Sequence, residues 1–116
     1  MALTVNEVLT DLQRFDLKPV EVAGIFSYDL ERVCLVHWPR SETLEHLDDP
    51  SIWLTPAAGP FAFDERALER FAGKRVVVEG DLYVAADPNF GFGHGSLWPA
   101  EIRVTDMRRV KEGEGS

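Results

Sequence analysis

Two stretches of this chain alternate with a period of two, and each is interrupted near its middle by a glycine. In the first, Val20, Val22, Phe26 and Tyr28 share one parity and Gly24 interrupts them. In the second, Arg75 to Val84, the shared parity belongs to Val76, Val78, Leu82 and Val84, and Gly80 interrupts. Alternation is the mark of a strand with one buried face. Glycine has no side chain to pack there, so its place inside such a strand marks a bulge or sharp bend. Two long, bent, half-buried strands constrain the fold more than any other feature of the sequence.

The remaining elements are placed around these two. Thr4-Val5-Asn6-Glu7 fits a capping box, with Leu3 and Val8 set for a hydrophobic staple. Val5, Val8, Leu9 and Leu12 fall on one helical face, so a helix is expected over about 4–15, stopped ahead of Lys18-Pro19. Arg32 to Trp38 reads as a strand paired to the first as a hairpin, and Pro39 ends it. Ser41 to Leu47 is expected to make one or two helical turns. Ser51 to Thr55 is a short strand with Ile52 and Leu54 inward and Trp53 outward. Asp64 caps a second helix through Ala72, with Leu68 and Phe71 as its apolar stripe and Gly73 just past its end. A Gly-rich loop over 87–96 precedes a last strand, Leu97 to Thr105, whose inward parity reads Trp98, Ala100, Ile102 and Val104. The expected organisation is one domain over 1–110, with the barrel over about 19–110 and a polar, frayed tail over 111–116.

The order strand, strand, strand, helix, strand, strand resembles the OB-fold superfamily. Three features carry the resemblance: Gly24 inside the first long strand, the Asp64–Ala72 helix between the third and fourth strands, and the segment Gly73-Lys74-Arg75-Val76-Val77-Val78-Glu79-Gly80 opening the fourth. Within the superfamily the chain looks most like small uncharacterised bacterial OB-fold proteins. The resemblance implies a mainly β, five-stranded Greek-key barrel with a helix between strands 3 and 4, to which this chain adds an N-terminal helix. A small, partly open barrel of the SH3-like kind is the competing architecture.

Charge narrows the function. The 116 residues carry 12 Lys and Arg against 20 Asp and Glu, a formal charge of −8. A field of that sign repels nucleic acid and anionic membranes unless a local basic patch overrides it. Lys74, Arg75, Arg103, Arg108, Arg109 and Lys111 are the residues from which such a stripe could form. The single cysteine, Cys34, excludes an internal disulfide and a Cys-rich zinc site, and in the run Val33-Cys34-Leu35-Val36 it reads as a buried small hydrophobe. His37, His46 and His94 stand at no metal-ligand spacing, so no metal or cofactor is expected. Gly91-Phe92-Gly93-His94-Gly95 lacks the Lys-Ser/Thr of a phosphate loop, and a strand follows it. No nucleophile elbow is present. The opening residues lack the basic start and apolar run of a secretory leader, and no run approaches a membrane span, so a cytoplasmic location is expected.

An OB-fold binds over its second and third strands, between the first and last loops. On that resemblance the candidate binding residues are Trp53, His37, Tyr28, Phe90, Phe92 and His94. The expectation is a non-enzymatic binding module. Protein recognition through an acidic surface, by an accessory, inhibitor or immunity-type protein with a basic partner, stands first. Binding of single-stranded nucleic acid across the same face is the alternative: the fold favours it and the charge opposes it.

Overall fold

The computed structural model describes residues 2–29, 32–39, 41–42, 50–56, 64–86, 91 and 98–110. Its strands are β1 (Leu3–Thr4), β2 (Pro19–Asp29), β3 (Arg32–Val36), β4 (Ser51–Pro56), β5 (Arg75–Val84) and β6 (Ala100–Arg109); its helices are α1 (Val5–Leu9), α2 (Leu12–Phe15) and α3 (Glu65–Phe71). The sheet runs β1-β2-β3-β4-β6-β5, and β2 also pairs with β5, which closes the last five strands into a barrel. All barrel pairings are antiparallel except β4 with β6. This is the OB-like Greek-key arrangement, with α3 in the crossover between the third and fourth barrel strands.

Closure depends on how β2 bends. Its first half, Pro19 to Ile25, pairs with β5, and its second half, Ile25 to Asp29, pairs with β3. Gly24 sits at the changeover. A Cβ there would lie 2.5 Å from the Val36 carbonyl oxygen and 2.9 Å from Leu35 Cγ, so only glycine lets β3 approach this closely. Gly80 does the same for β5 and β6: a Cβ would overlap the Arg103 carbonyl, and the register shifts between Glu79 and Gly80. That bulge changes the inward parity of β6 from Ala100, Ile102 and Val104 to Met107, so the strand runs four residues beyond the expected Thr105.

The interior is filled by Val20, Val22, Phe26, Leu35, Ile52, Leu54, Val76, Val78, Leu82, Ile102 and their neighbours. Helices α3 and α1 both pack on this core. α3 is capped by Asp64, whose side chain accepts from the Ala67 amide at 2.9 Å, and it inserts Phe71, with Leu68 half-buried beside it. Gly73, at φ +77°, turns the chain and donates to the Phe26 carbonyl. Val5 and Val8 of α1 are wholly buried against the same core. The Thr4/Glu7 capping box is formed in both directions.

The N-terminal region departs from the expected single helix. It breaks at Thr10-Asp11 into two short helices, and Leu3–Thr4 pairs in parallel with Val22 and Ala23 of β2. β3 ends opposite Ile25, leaving that edge of β2 unpaired, and β1 fills it. Asp16 then accepts from the Val84 amide at 3.0 Å, tying α2 to the end of β5. The helical turn expected over 41–47 and the tail from 111 lie outside the described residues, apart from Ser41 and Glu42.

Candidate recognition face

Because Ile52, Leu54, Leu82 and Ile102 point inward, the alternate residues of β4, β5 and β6 line the outer wall. The register sets Ser27, Cys34, Trp53, Glu101 and Tyr83 in one row across all five strands. The next row holds Thr55, Arg103 and Asp81. An open cleft of about 490 Å³ lies here, lined by Thr55, Pro56, Asp81, Tyr83, Glu101, Arg103 and Thr105.

Trp53 is half-buried rather than freely exposed. Its ring meets that of Trp98, centroids 4.9 Å apart and tilted by 55°. The Trp98 indole N–H donates to Ser51 Oγ at 2.9 Å, and Ser51 shares the parity of Trp53. Trp98 thus belongs to the outer rim, not to the inward parity of the last strand. The strand starts only at Ala100, so the alternation does not reach back to it.

Glu101 is the unusual group on this wall. Only 9% of its surface is exposed, and no hydrogen bond reaches its carboxylate among the described residues. Burial pushes its carboxyl above the usual carboxylate range, and the Arg103 charge beside it pulls in the other direction. The Arg103 guanidinium lies over the Tyr83 ring, 4.0 Å from its centroid. A carboxylate, a guanidinium and an aromatic ring therefore converge on one open cleft.

Cys34 is wholly buried, as expected, but it does not belong to the barrel interior. It faces outward in the same row, with Ser27, Ser51 and Arg32 around it, and the Arg32 Nη2 lies 3.8 Å from its sulfur. Burial raises the thiol pKa above its ordinary 9.0, which makes it a poor nucleophile.

Two of the residues expected at this face are placed elsewhere. Tyr28 carries the inward parity of β2, packs on the core and stacks on Phe26 at 6.5 Å. His37, 2% exposed, is turned to α1. Its Nδ1 accepts from the Asn6 amide at 3.1 Å, so its proton is on Nε2, which donates to Glu42 at 2.7 Å. Both ring nitrogens are occupied, Nδ1 by the N-terminus of α1 and Nε2 by Glu42, leaving no lone pair for a metal. Phe90, Phe92 and His94 lie outside the described residues.

The basic residues do not form one stripe along the described surface. Arg103 faces the cleft, whereas Arg108 and Arg109 pair across from Val77 and Val76 at the far end of β5. Arg108 meets Glu21 at 3.8 Å, and Arg75 lies over the Trp38 ring. Among the described residues no cluster of His, Cys, Asp and Glu is placed to hold a metal, and no helix is long and apolar enough to cross a membrane.

Glu101 and Tyr83 are not among the residues expected from sequence, and Arg103 is expected there only as part of a basic stripe. Each is an ordinary outward residue of an alternating strand, and only the cross-strand register brings them together. Comparison with protein-family models and with curated proteins finds no match to this chain.

Proposed function

We propose that this chain is a non-enzymatic protein-recognition module of the OB-fold superfamily, of the accessory, inhibitor or immunity type. Its working surface is the outer wall of β4, β6 and β5, and its partner presents basic residues. It acts in the cytoplasm, where Cys34 stays a thiol. The observation that carries this reading is the open cleft lined by Tyr83, Glu101 and Asp81, with Trp53 paired across from Glu101 in the same row of the wall. Aromatic anchors beside a desolvated charge are what a protein interface uses. The formal charge of −8 extends the same preference over the whole surface and speeds encounter with a basic partner.

Single-stranded nucleic acid needs a cationic groove beside its stacking platform. Here Arg103 shares its cleft with the acids Glu101 and Asp81, and Arg32 is taken up at Cys34, so the described residues of the wall present no cationic groove. Fluorescence anisotropy with a labelled basic peptide, a labelled acidic peptide and labelled oligonucleotides separates the two readings. The basic peptide is expected to bind, and to be lost in Trp53→Ala. Sub-micromolar oligonucleotide binding that weakens steeply with salt would reverse the conclusion.

A further inference from the structure

We propose that Arg103 is a placeholder for an arginine of the partner: in the free protein its guanidinium covers Tyr83 beside Glu101, and on binding the partner's guanidinium takes that place while Arg103 moves to solvent. This rests on the recognition reading above and names the group recognised.

Three observations carry it. First, Glu101 lines the cleft with nine-tenths of the residue covered, and its carboxylate receives no hydrogen bond among the described residues. Arg103 offsets its charge without giving it the two parallel N–H donors that a carboxylate takes from a well-aligned guanidinium. The Glu101 carboxylate opens on the cleft and is not one of the buried, unpartnered polar groups, so it is accessible to an incoming guanidinium fork. Second, the Tyr83 ring already accepts a guanidinium, at 4.0 Å from its centroid. The planar cation that stacks there is the chemistry the cleft fits, and a lysine ammonium does not reproduce both the stacking and the fork. Third, the occupant is free to leave. Arg103 is an exposed residue of β6 on the rim of an open cleft, so its side chain regains hydration when it swings away. Asp81, directly across the β5–β6 ladder from Arg103, adds a second acid to receive either guanidinium.

The test is calorimetric titration at pH 8 and low salt with a short arginine-containing peptide and its citrulline counterpart. The titrated proteins are the wild type, Glu101→Gln, Arg103→Gln and Trp53→Ala. Glu101→Gln keeps the side-chain shape, and thermal melts check that each variant is folded. Removing the competitor in Arg103→Gln is expected to tighten arginine-peptide binding about threefold or more, whereas Glu101→Gln weakens it at least about tenfold. The citrulline peptide, neutral but nearly isosteric, is expected to bind the wild type at least about tenfold more weakly than the arginine peptide. Arg103→Gln binding no tighter than wild type, or equal binding of the two peptides, overturns the proposal. If Trp53→Ala abolishes binding while Glu101→Gln and Arg103→Gln leave it unchanged, the arginine site fails and the recognition face stands. Binding of oligonucleotides with no peptide binding overturns both.

Discussion

Replacing Gly24 by alanine tests how the barrel closes. The added methyl would sit 2.5 Å from the Val36 carbonyl oxygen and 2.9 Å from Leu35 Cγ, where ordinary contacts begin near 3.4 Å. The leucine can adjust its rotamer. The carbonyl cannot retreat without disturbing the β2–β3 ladder beside the Ile25–Val36 pair. Overpacking of this kind costs about 1–3 kcal/mol. Alanine also restricts the unfolded chain, which returns about 0.4–1 kcal/mol. The net expectation is a loss of about 1–2 kcal/mol, or a fall in Tm of roughly 3–10 °C for a domain of this size. Urea denaturation followed by tryptophan fluorescence measures it, with an unchanged m-value showing that the same surface is exposed on unfolding. A neutral or stabilised Gly24→Ala would mean that β2 and β3 are not this close, and the account of closure would be mistaken.

Leu17 holds φ +63° with its side chain 70% exposed, so Leu17→Gly is expected to stabilise the fold by about 0.5–1 kcal/mol; a loss of stability in the same urea assay would show that the side chain packs usefully. Glu101 binds its proton more tightly folded than unfolded, so its linked stability is present below its ordinary value of 4.5 and is lost as pH rises through the raised folded value. Glu101→Gln is therefore expected to flatten that limb and raise stability at neutral pH, and a wild-type curve that rises with pH through the window would contradict the sign. The raised Cys34 pKa has the same sign at alkaline pH: stability present below 9.0 is lost above it, and Cys34→Ala removes that dependence in a pH series of thermal melts.

The sequence made the barrel legible where one rule acted alone. Alternation located the inward faces of β2, β4 and β5, and Asp64 and Gly73 bounded α3 because a cap acceptor and a left-handed stop are local chemistry. Legibility failed where partners set the outcome. Leu3–Thr4 is too short to show a period and is a strand only because β3 leaves an edge of β2 open. The far end of β6 was lost because the bulge opposite Glu79 and Gly80 breaks its alternation before Met107. At the site, Trp53 was found by parity. Glu101 was not, because its burial comes from a wall formed by three strands distant in sequence.

The most direct test of the recognition face is a residue-resolved amide NMR map of the protein titrated with the arginine peptide. The account predicts shifts concentrated at Trp53, Thr55, Asp81, Tyr83, Glu101 and Arg103, with the Trp98 indole N–H moving with them. Shifts centred instead on Arg75, Arg108 and Arg109, or the same central shifts produced by an oligonucleotide, would contradict it.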